Sequence, residues 1–271
     1  MNAAELPLLI EPETLESSLG NESILIVDLS KADTYAKLHI PGAVHLDYPQ
    51  IIAAQKPVMG LLPDDATLER LFSAIGIDSD THVVACDDEG GGRASRLLWT
   101  LAAAGHTRFS LLNGGLHAWA NEGHPVDAAH VTPAPKTFKV QRDPAPVATR
   151  DYIREHLGDS AVCLLDVRTP DEYNGVKRFA DRAGHIPGAV NMDWMQAIDT
   201  GRNMRFKPDP DLKALLQAVG ATPDREIITY CQTHHRSAHT WLVLMHLGYP
   251  HARGYPGSWS DWGNDPDLPV E

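Results

Sequence analysis

Cysteine is scarce in this chain: Cys86, Cys163 and Cys231 are its only three in 271 residues. An odd number at such wide spacing fits neither a disulfide framework nor a paired-thiol redox motif. Basic residues are also in deficit, 23 Lys and Arg against 36 Asp and Glu, for a net charge of −13. That balance argues against nucleic acid and anionic membrane surfaces as partners, because both select basic patches. It still permits a small anionic substrate held by a local cluster of basic groups and backbone N–H dipoles. No apolar run approaches the ~20 residues needed to span a bilayer. The start, MNAAELPLLIEPETLESSL, has acidic residues and no basic region ahead of an apolar core. A secretory signal is therefore not expected, and the expected location is the cytoplasm. The apolar share of 43% and charged share of 22% are those of a soluble globular protein.

What the chain does contain, it contains twice. The hexapeptide HIPGAV stands at 39–44 and again at 185–190. Upstream of each copy an apolar run ends in aspartate, ILIVDLS with Asp28 and CLLDVRT with Asp166. Downstream, THVVACD parallels REIITYC, which sets Asp87 opposite Cys231. Each is followed by a helix pattern ending at glycine, ASRLLWTLAAAG and SAHTWLVLMHLG, and then by a glycine-and-tryptophan segment, NGGLHAW and PGSWSDW. A matched order of this length marks two copies of one domain. Between them lies a stretch with Pro133, Pro135, Pro144 and Pro146 and little periodicity, which reads as an extended linker. The expected organisation is a first domain over 1–126, a linker over 127–147 and a second domain over 148–271. Short apolar strands alternating with helices imply an α/β fold with a parallel sheet covered on both faces. In such sheets ligands bind beyond the carboxyl ends of the strands.

Cys231 stands at one of those ends, in the loop CQTHHRS between the strand EIITY and a helix whose apolar stripe is Trp241, Leu242, Leu244, Met245 and Leu247, capped by Gly248. The first turn of a helix has N–H groups without intrahelical partners, and its dipole adds partial positive charge at the same end. Such settings lower a cysteine pKa from ~8.5 to ~3.5–7.5. Arg236 favours the anion further, and His234 and His235 tune the pocket. The reading is a reactive thiolate in an anion-binding cradle. Cys163, inside AVCLLDV, reads as a buried small hydrophobe, and Cys86 has Asp87, Asp88 and Glu89 beside it to oppose ionisation. The loop admits three other readings. A buried structural cysteine is the ordinary fate of a lone thiol. Metal binding by Cys231 with His234, His235 or His239 lacks regular spacing and a second cysteine cluster, so no metal is expected, and His239 reads as a surface or packing histidine. A phosphatase loop would have five residues between cysteine and arginine, and here there are four, which leaves room for one sulfur atom. The corresponding loop of the first copy, DDEGGGRAS, reads as structural, with no chemistry assigned to Asp87.

The duplicated order of strand, Gly184-His185-Ile186-Pro187-Gly188-Ala189, strand and cysteine loop, with the arginine that closes the loop and the terminal glycine–tryptophan segment, resembles the rhodanese family of sulfurtransferases in its tandem form, over essentially the whole chain. The resemblance implies two similar domains, each a mainly parallel five-stranded sheet flanked by helices, with the first domain inactive. It implies that Cys231 is the catalytic residue and that Gln232, Thr233, His234, His235, Arg236 and Ser237 bind the substrate. Arg182 matches a basic position that helps line the pocket, in a segment that makes the second copy eight residues longer than the first. Lys177 and Arg178 in that segment read as solvated charges. The hexapeptide reads as a turn that fixes the strand. At the fourth loop position, often glycine in the family, stands His234, which implies local backbone strain. The implied activity is transfer of sulfane sulfur from an anionic donor, thiosulfate first, through a Cys231 persulfide to cyanide or a thiol, possibly a protein thiol, with no cofactor. A mercaptopyruvate enzyme, a persulfide carrier or sensor, and a cysteine phosphatase are the alternatives. Ser237 is read either as a donor to the persulfide or as the helix cap.

Overall fold

A computed structural model describes residues 6–271; residues 1–5, on which part of the N-terminal reading rests, lie outside the described residues. The chain forms two compact units. The first has a five-stranded parallel sheet in the order Leu9–Ile10, Phe109–Leu112, His82–Cys86, Ile24–Asp28, Val44–His45. The second has a four-stranded parallel sheet in the order Ala252–Gly254, Glu226–Tyr230, Val162–Asp166, Val190–Asn191. The central strands HVVAC and VCLLD are buried at every residue, which is why they read as continuous apolar runs and not as alternating ones. No helix among the described residues is long and apolar enough to cross a membrane.

The second sheet has four strands where five were expected, and the cause is local. The fifth position is a single parallel bridge between Val147 and Gly254, closed by Ala148 N–H to Gly254 O (2.9 Å) and Gly254 N–H to Pro146 O (2.9 Å). Pro144 and Pro146 have no N–H to extend a ladder. The units also differ from two contiguous halves. Residues 52–62, with the antiparallel hairpin Ala53–Gln55 and Val58–Leu61, group with the second unit, and Asp199–Phe206 groups with the first. The proline-rich segment is bonded along the first unit as far as Gln141, through Lys136 N–H to Ser73 O (2.9 Å) and Gln141 N–H to Ala104 O (2.9 Å).

Both hexapeptides do the same mechanical work. In each the histidine Nδ1 bonds the carbonyl of a tyrosine, Tyr35 for His39 (2.7 Å) and Tyr173 for His185 (3.0 Å), and the rings stack at 3.9 and 3.7 Å. Ala43 and Ala189 N–H close the turn onto Ile40 and Ile186 carbonyls, and the glycines at 42 and 188 sit at φ 79° and 75°, where a side chain would be strained. In the second unit the turn is also tied to the sheet, because Ile186 N–H donates to the buried Tyr230 hydroxyl at 3.2 Å.

Below that turn, the strand-ending Asp166 forms a buried ion pair with Arg168 at 2.6 Å. Arg168 donates on to Gly184 O (2.7 Å) and lies over the Trp259 ring at 4.5 Å. One side chain thus joins the strand, the hexapeptide and the closing segment. Arg168→Leu leaves the Asp166 carboxylate buried without its counter-charge, and the expected cost is about 3–5 kcal/mol. Chemical denaturation followed by tryptophan fluorescence checks it; a loss below about 1 kcal/mol would show that water reaches the carboxylate.

Candidate active site

Strand Glu226–Tyr230 ends one residue before Cys231, and helix Arg236–His246 begins five residues after it. The loop between has its own division of labour. The N–H groups of Thr233 and Ser237 face the Cys231 sulfur, whereas those of Cys231 (3.3 Å) and His234 (3.0 Å) turn the other way and donate to Ser258 Oγ. Ser258 Oγ donates in turn to Tyr255 O at 2.8 Å, so the hydroxyl is fully used. Trp259 N–H to Cys231 O (2.9 Å) and Ser260 N–H to Gln232 O (3.0 Å) hold the loop's carbonyl side. The closing PGSWSDW segment is therefore the loop's backing, a role its sequence did not disclose. The hairpin of residues 53–61 comes equally close: a methyl group on Gly60 would overlap the carbonyl oxygens of Thr233 and Pro256.

The sulfur is almost completely buried. Burial raises the thiol pKa, but the Arg236 charge, the Ser237 hydroxyl and the Ser237 and Thr233 N–H groups outweigh it and bring the value from 9.0 down to about 7. That difference corresponds to about 3 kcal/mol in favour of the thiolate. Ser237 Oγ lies 3.5 Å from Sγ and 2.7 Å from His234 Nδ1. Its one proton goes to the sulfur, so it accepts from Nδ1–H, which fixes the tautomer of His234. Ser237 sits inside the first helical turn and serves the sulfur, so of its two expected roles it is not the cap. By contrast, burial pushes the Cys163 thiol up, and burial with Asp28, Asp87 and Asp88 holds Cys86 well above its ordinary value.

The remaining expected residues divide. His234 is buried, with φ 55°, the strain anticipated at that position. His235 is half-buried, its ring 5.9 Å from that of Trp194. His239 is buried edge-on to Trp194 at 5.2 Å, and burial, with the neighbouring His235, lowers its pKa to about 3; it is a packed neutral ring. The Gln232 amide donates to Phe179 O at 3.0 Å, along the inserted segment. Arg182 differs from expectation. Its guanidinium is committed to the carbonyls of Trp262, Asp265 and Leu268, where it ties down the turns after helix Ser258–Trp262, and is not directed at the sulfur. Met245, assigned to the buried stripe, is exposed, and Val243 is buried in its stead. Residues missed in the sequence are Ser258, Arg168 and Glu172. Glu172 alone had a readable signal: Thr169-Pro170-Asp171-Glu172 is a capping box with proline at the first helical position, a pattern visible in one dimension.

The first copy has the same cradle with a different occupant. Asp87 Oδ1 accepts from Glu89 N–H (3.0 Å) and Gly91 N–H (2.8 Å), and Oδ2 from Ala94 N–H (2.9 Å). The Asp87 carboxyl fills the cradle from within and uses its N–H donors, while burial and Glu89 push its pKa up against them.

The rhodanese-like domain model matches residues 11–122 and 149–265. The chain belongs to the rhodanese family. Its relatives include a thiosulfate sulfurtransferase of Pseudomonas aeruginosa, 44% identical over 268 residues, covering 99% of this rhodanese and 98% of the relative. One from Azotobacter vinelandii has the same identity and coverage. The sulfur carrier protein TtuD of Thermus thermophilus is 32% identical over 284 residues, covering 100% of this chain and 98% of the relative. Among solved structures, wild-type EanB superposes with a TM-score of 0.87 at 21% identity, over 97% of this chain and 69% of that one; it shares the rhodanese fold.

The thiol titration carries a sign that can be tested. The folded pKa, about 7, lies below the ordinary 9.0, so this group adds stability at pH above 9, and the contribution is lost as pH falls toward 7. Alkylation of Cys231 by iodoacetamide should rise with a midpoint near pH 7, and Arg236→Ala should move that midpoint up. An unmoved midpoint would remove Arg236 from the electrostatics of the sulfur.

Proposed function

We propose that this protein is a thiosulfate sulfurtransferase in which Cys231 carries the sulfur. The observation that supports it most is a buried thiol made acidic by Arg236, Ser237 and loop N–H groups, in a chain whose relatives of that name match end to end at 44% identity. The Cys231 thiolate attacks the outer sulfur of thiosulfate. The sulfur–sulfur bond of the donor breaks, sulfite departs with the bonding electron pair, and a persulfide anion remains on Sγ. An acceptor, cyanide or a thiolate, then attacks the outer sulfur and returns Cys231 as thiolate. The sequence is covalent catalysis in two displacements and gives ping-pong kinetics.

Sulfite is a stable anion as it leaves, so no strong general acid is needed. That suits a site in which His234 Nδ1 is bonded to Ser237 and His239 is buried and neutral. The loop N–H groups and Arg236 stabilise charge on the attacked and transferred sulfur. No cofactor enters the scheme. Three free cysteines suit a reducing compartment, and the cytoplasm is the proposed location. A second reading, a persulfide carrier that hands sulfur to a protein thiol, is favoured by the likeness to TtuD and by the burial of the sulfur, which protects an adduct from water.

Intact-mass measurement after mixing with thiosulfate should show the gain of one sulfur atom, reversed by cyanide. Cys231→Ala should lose both the adduct and turnover while keeping the fold. Turnover retained in that variant would refute the assignment; a stable adduct with slow turnover to cyanide would favour the carrier reading.

A further inference from the structure

Glu172 belongs to the short helix Pro170–Tyr173, not to the cysteine loop. As a capping glutamate it needs one oxygen, and it uses Oε2 for this, accepting from Thr169 N–H (3.2 Å) and Oγ1 (2.9 Å). Yet both oxygens also face Arg236: Nη1 donates to Oε2 at 2.7 Å and Nη2 to Oε1 at 2.8 Å. The charge of the same guanidinium acts on the Cys231 thiol. The pair is largely withdrawn from solvent, the Glu172 side chain being 5% and the Arg236 side chain 19% exposed. Burial raises the Glu172 pKa, but Arg236 and Thr169 outweigh it and hold it at about 2, so the carboxylate is charged wherever the thiolate is.

Arginine recognises phosphoryl and sulfonyl oxygens by presenting both terminal nitrogens as a fork. Here the fork is taken. What reaches the sulfur is a contact at one point, and beyond contact distance the carboxylate cancels much of the guanidinium charge. A sulfur anion in the cradle feels Arg236; a phosphoryl group at the loop mouth meets two terminal nitrogens already bonded to Glu172.

We propose that Glu172 is the positioning residue that makes the Cys231 loop select an anionic sulfur atom, the outer sulfur of a donor included, over a phosphoryl group, by occupying the two-nitrogen fork of Arg236. The inference deepens the sulfurtransferase reading and rests on it for its biological meaning, but the geometry it uses does not. The titratable groups around the sulfur are Arg236, His234 and His235 from its own loop and helix, and Glu172 from the facing helix.

The test compares wild type with Glu172→Gln, which keeps one oxygen to accept at the cap, replaces the other with an amide donor and removes the charge. Two quantities are read: the pH dependence of Cys231 alkylation by iodoacetamide, and protection from alkylation by inorganic phosphate. In Glu172→Gln the thiol should titrate below the wild-type value of about 7, and phosphate should protect at concentrations on the order of tenfold lower. Thr169→Ala, which loosens the cap while leaving the ion pair, should lower the melting temperature and move neither quantity. An unchanged titration and unchanged protection in Glu172→Gln would overturn the proposal, as would equal shifts in both variants, which would trace the effect to helix position. Persulfide formation from thiosulfate is scored separately. Its absence alongside the expected shifts would defeat the sulfur-transfer reading and leave the role of Glu172 standing.

Discussion

A strand that turns directly into a helix leaves several N–H groups converging on one point, and that point must be filled by negative charge. Both units of this rhodanese answer the demand with the residue at the strand tip. In the first unit Asp87 closes the site with its own carboxylate, through three N–H contacts of 2.8–3.0 Å. In the second, the occupant is the Cys231 sulfur, acidified against the opposing effect of burial. The cradle is thus a property of the fold, and the two units differ in which group fills it. The Asp87 carboxyl engages three N–H donors, whereas Cys231 is the one cysteine whose pKa is brought down and not raised.

The backbone records the same division. Three residues beyond the strand-tip anion the chain takes positive φ, 91° at Gly90 and 55° at His234. Where the closing segment bonds back to the strand-tip carbonyl, φ is positive again, 52° at Gly115 and 51° at Ser258. Glycine meets both requirements in the first unit without a Cβ to strain. The second unit has side chains there, at a cost of order 1–3 kcal/mol each. Both contribute to the site: His234 orders the Ser237 hydroxyl, and Ser258 accepts two loop N–H groups. Strain is concentrated in the copy that holds the thiolate and is offset by hydrogen bonds found at the sulfur.

Two buried ion pairs support this arrangement in different ways. Asp166–Arg168 fastens strand, hexapeptide and closing segment, and its charges meet each other, a carbonyl and an indole. The guanidinium of Glu172–Arg236 also acts on the Cys231 thiol through its charge, so its geometry sets a field as well as a position. Burial makes both pairs costly to break, but only the second couples that cost to chemistry.

The duplication, the parallel sheets and Cys231 were legible in the chain because each depends on neighbours in sequence: apolar runs ending in Asp28, Asp166, Asp87 and Cys231, the repeated HIPGAV turn, and a loop with Arg236 five residues after the thiol. Helix ends and turns are local, and their signals are local. Glu172 was half-legible, as a cap but not as the partner of an arginine 64 positions on. Ser258, the Gly60 hairpin and the redirection of Arg182 to the carbonyls of 262, 265 and 268 had no one-dimensional signature. They arise from which distant segments pack against the loop, and packing choices between segments far apart in sequence leave no periodicity to read. Local pattern marked Cys231 as a thiol at a strand tip in an anion cradle and left Asp87 without a role; which donors face the sulfur was settled by packing, because backbone N–H groups point where the surrounding acceptors draw them.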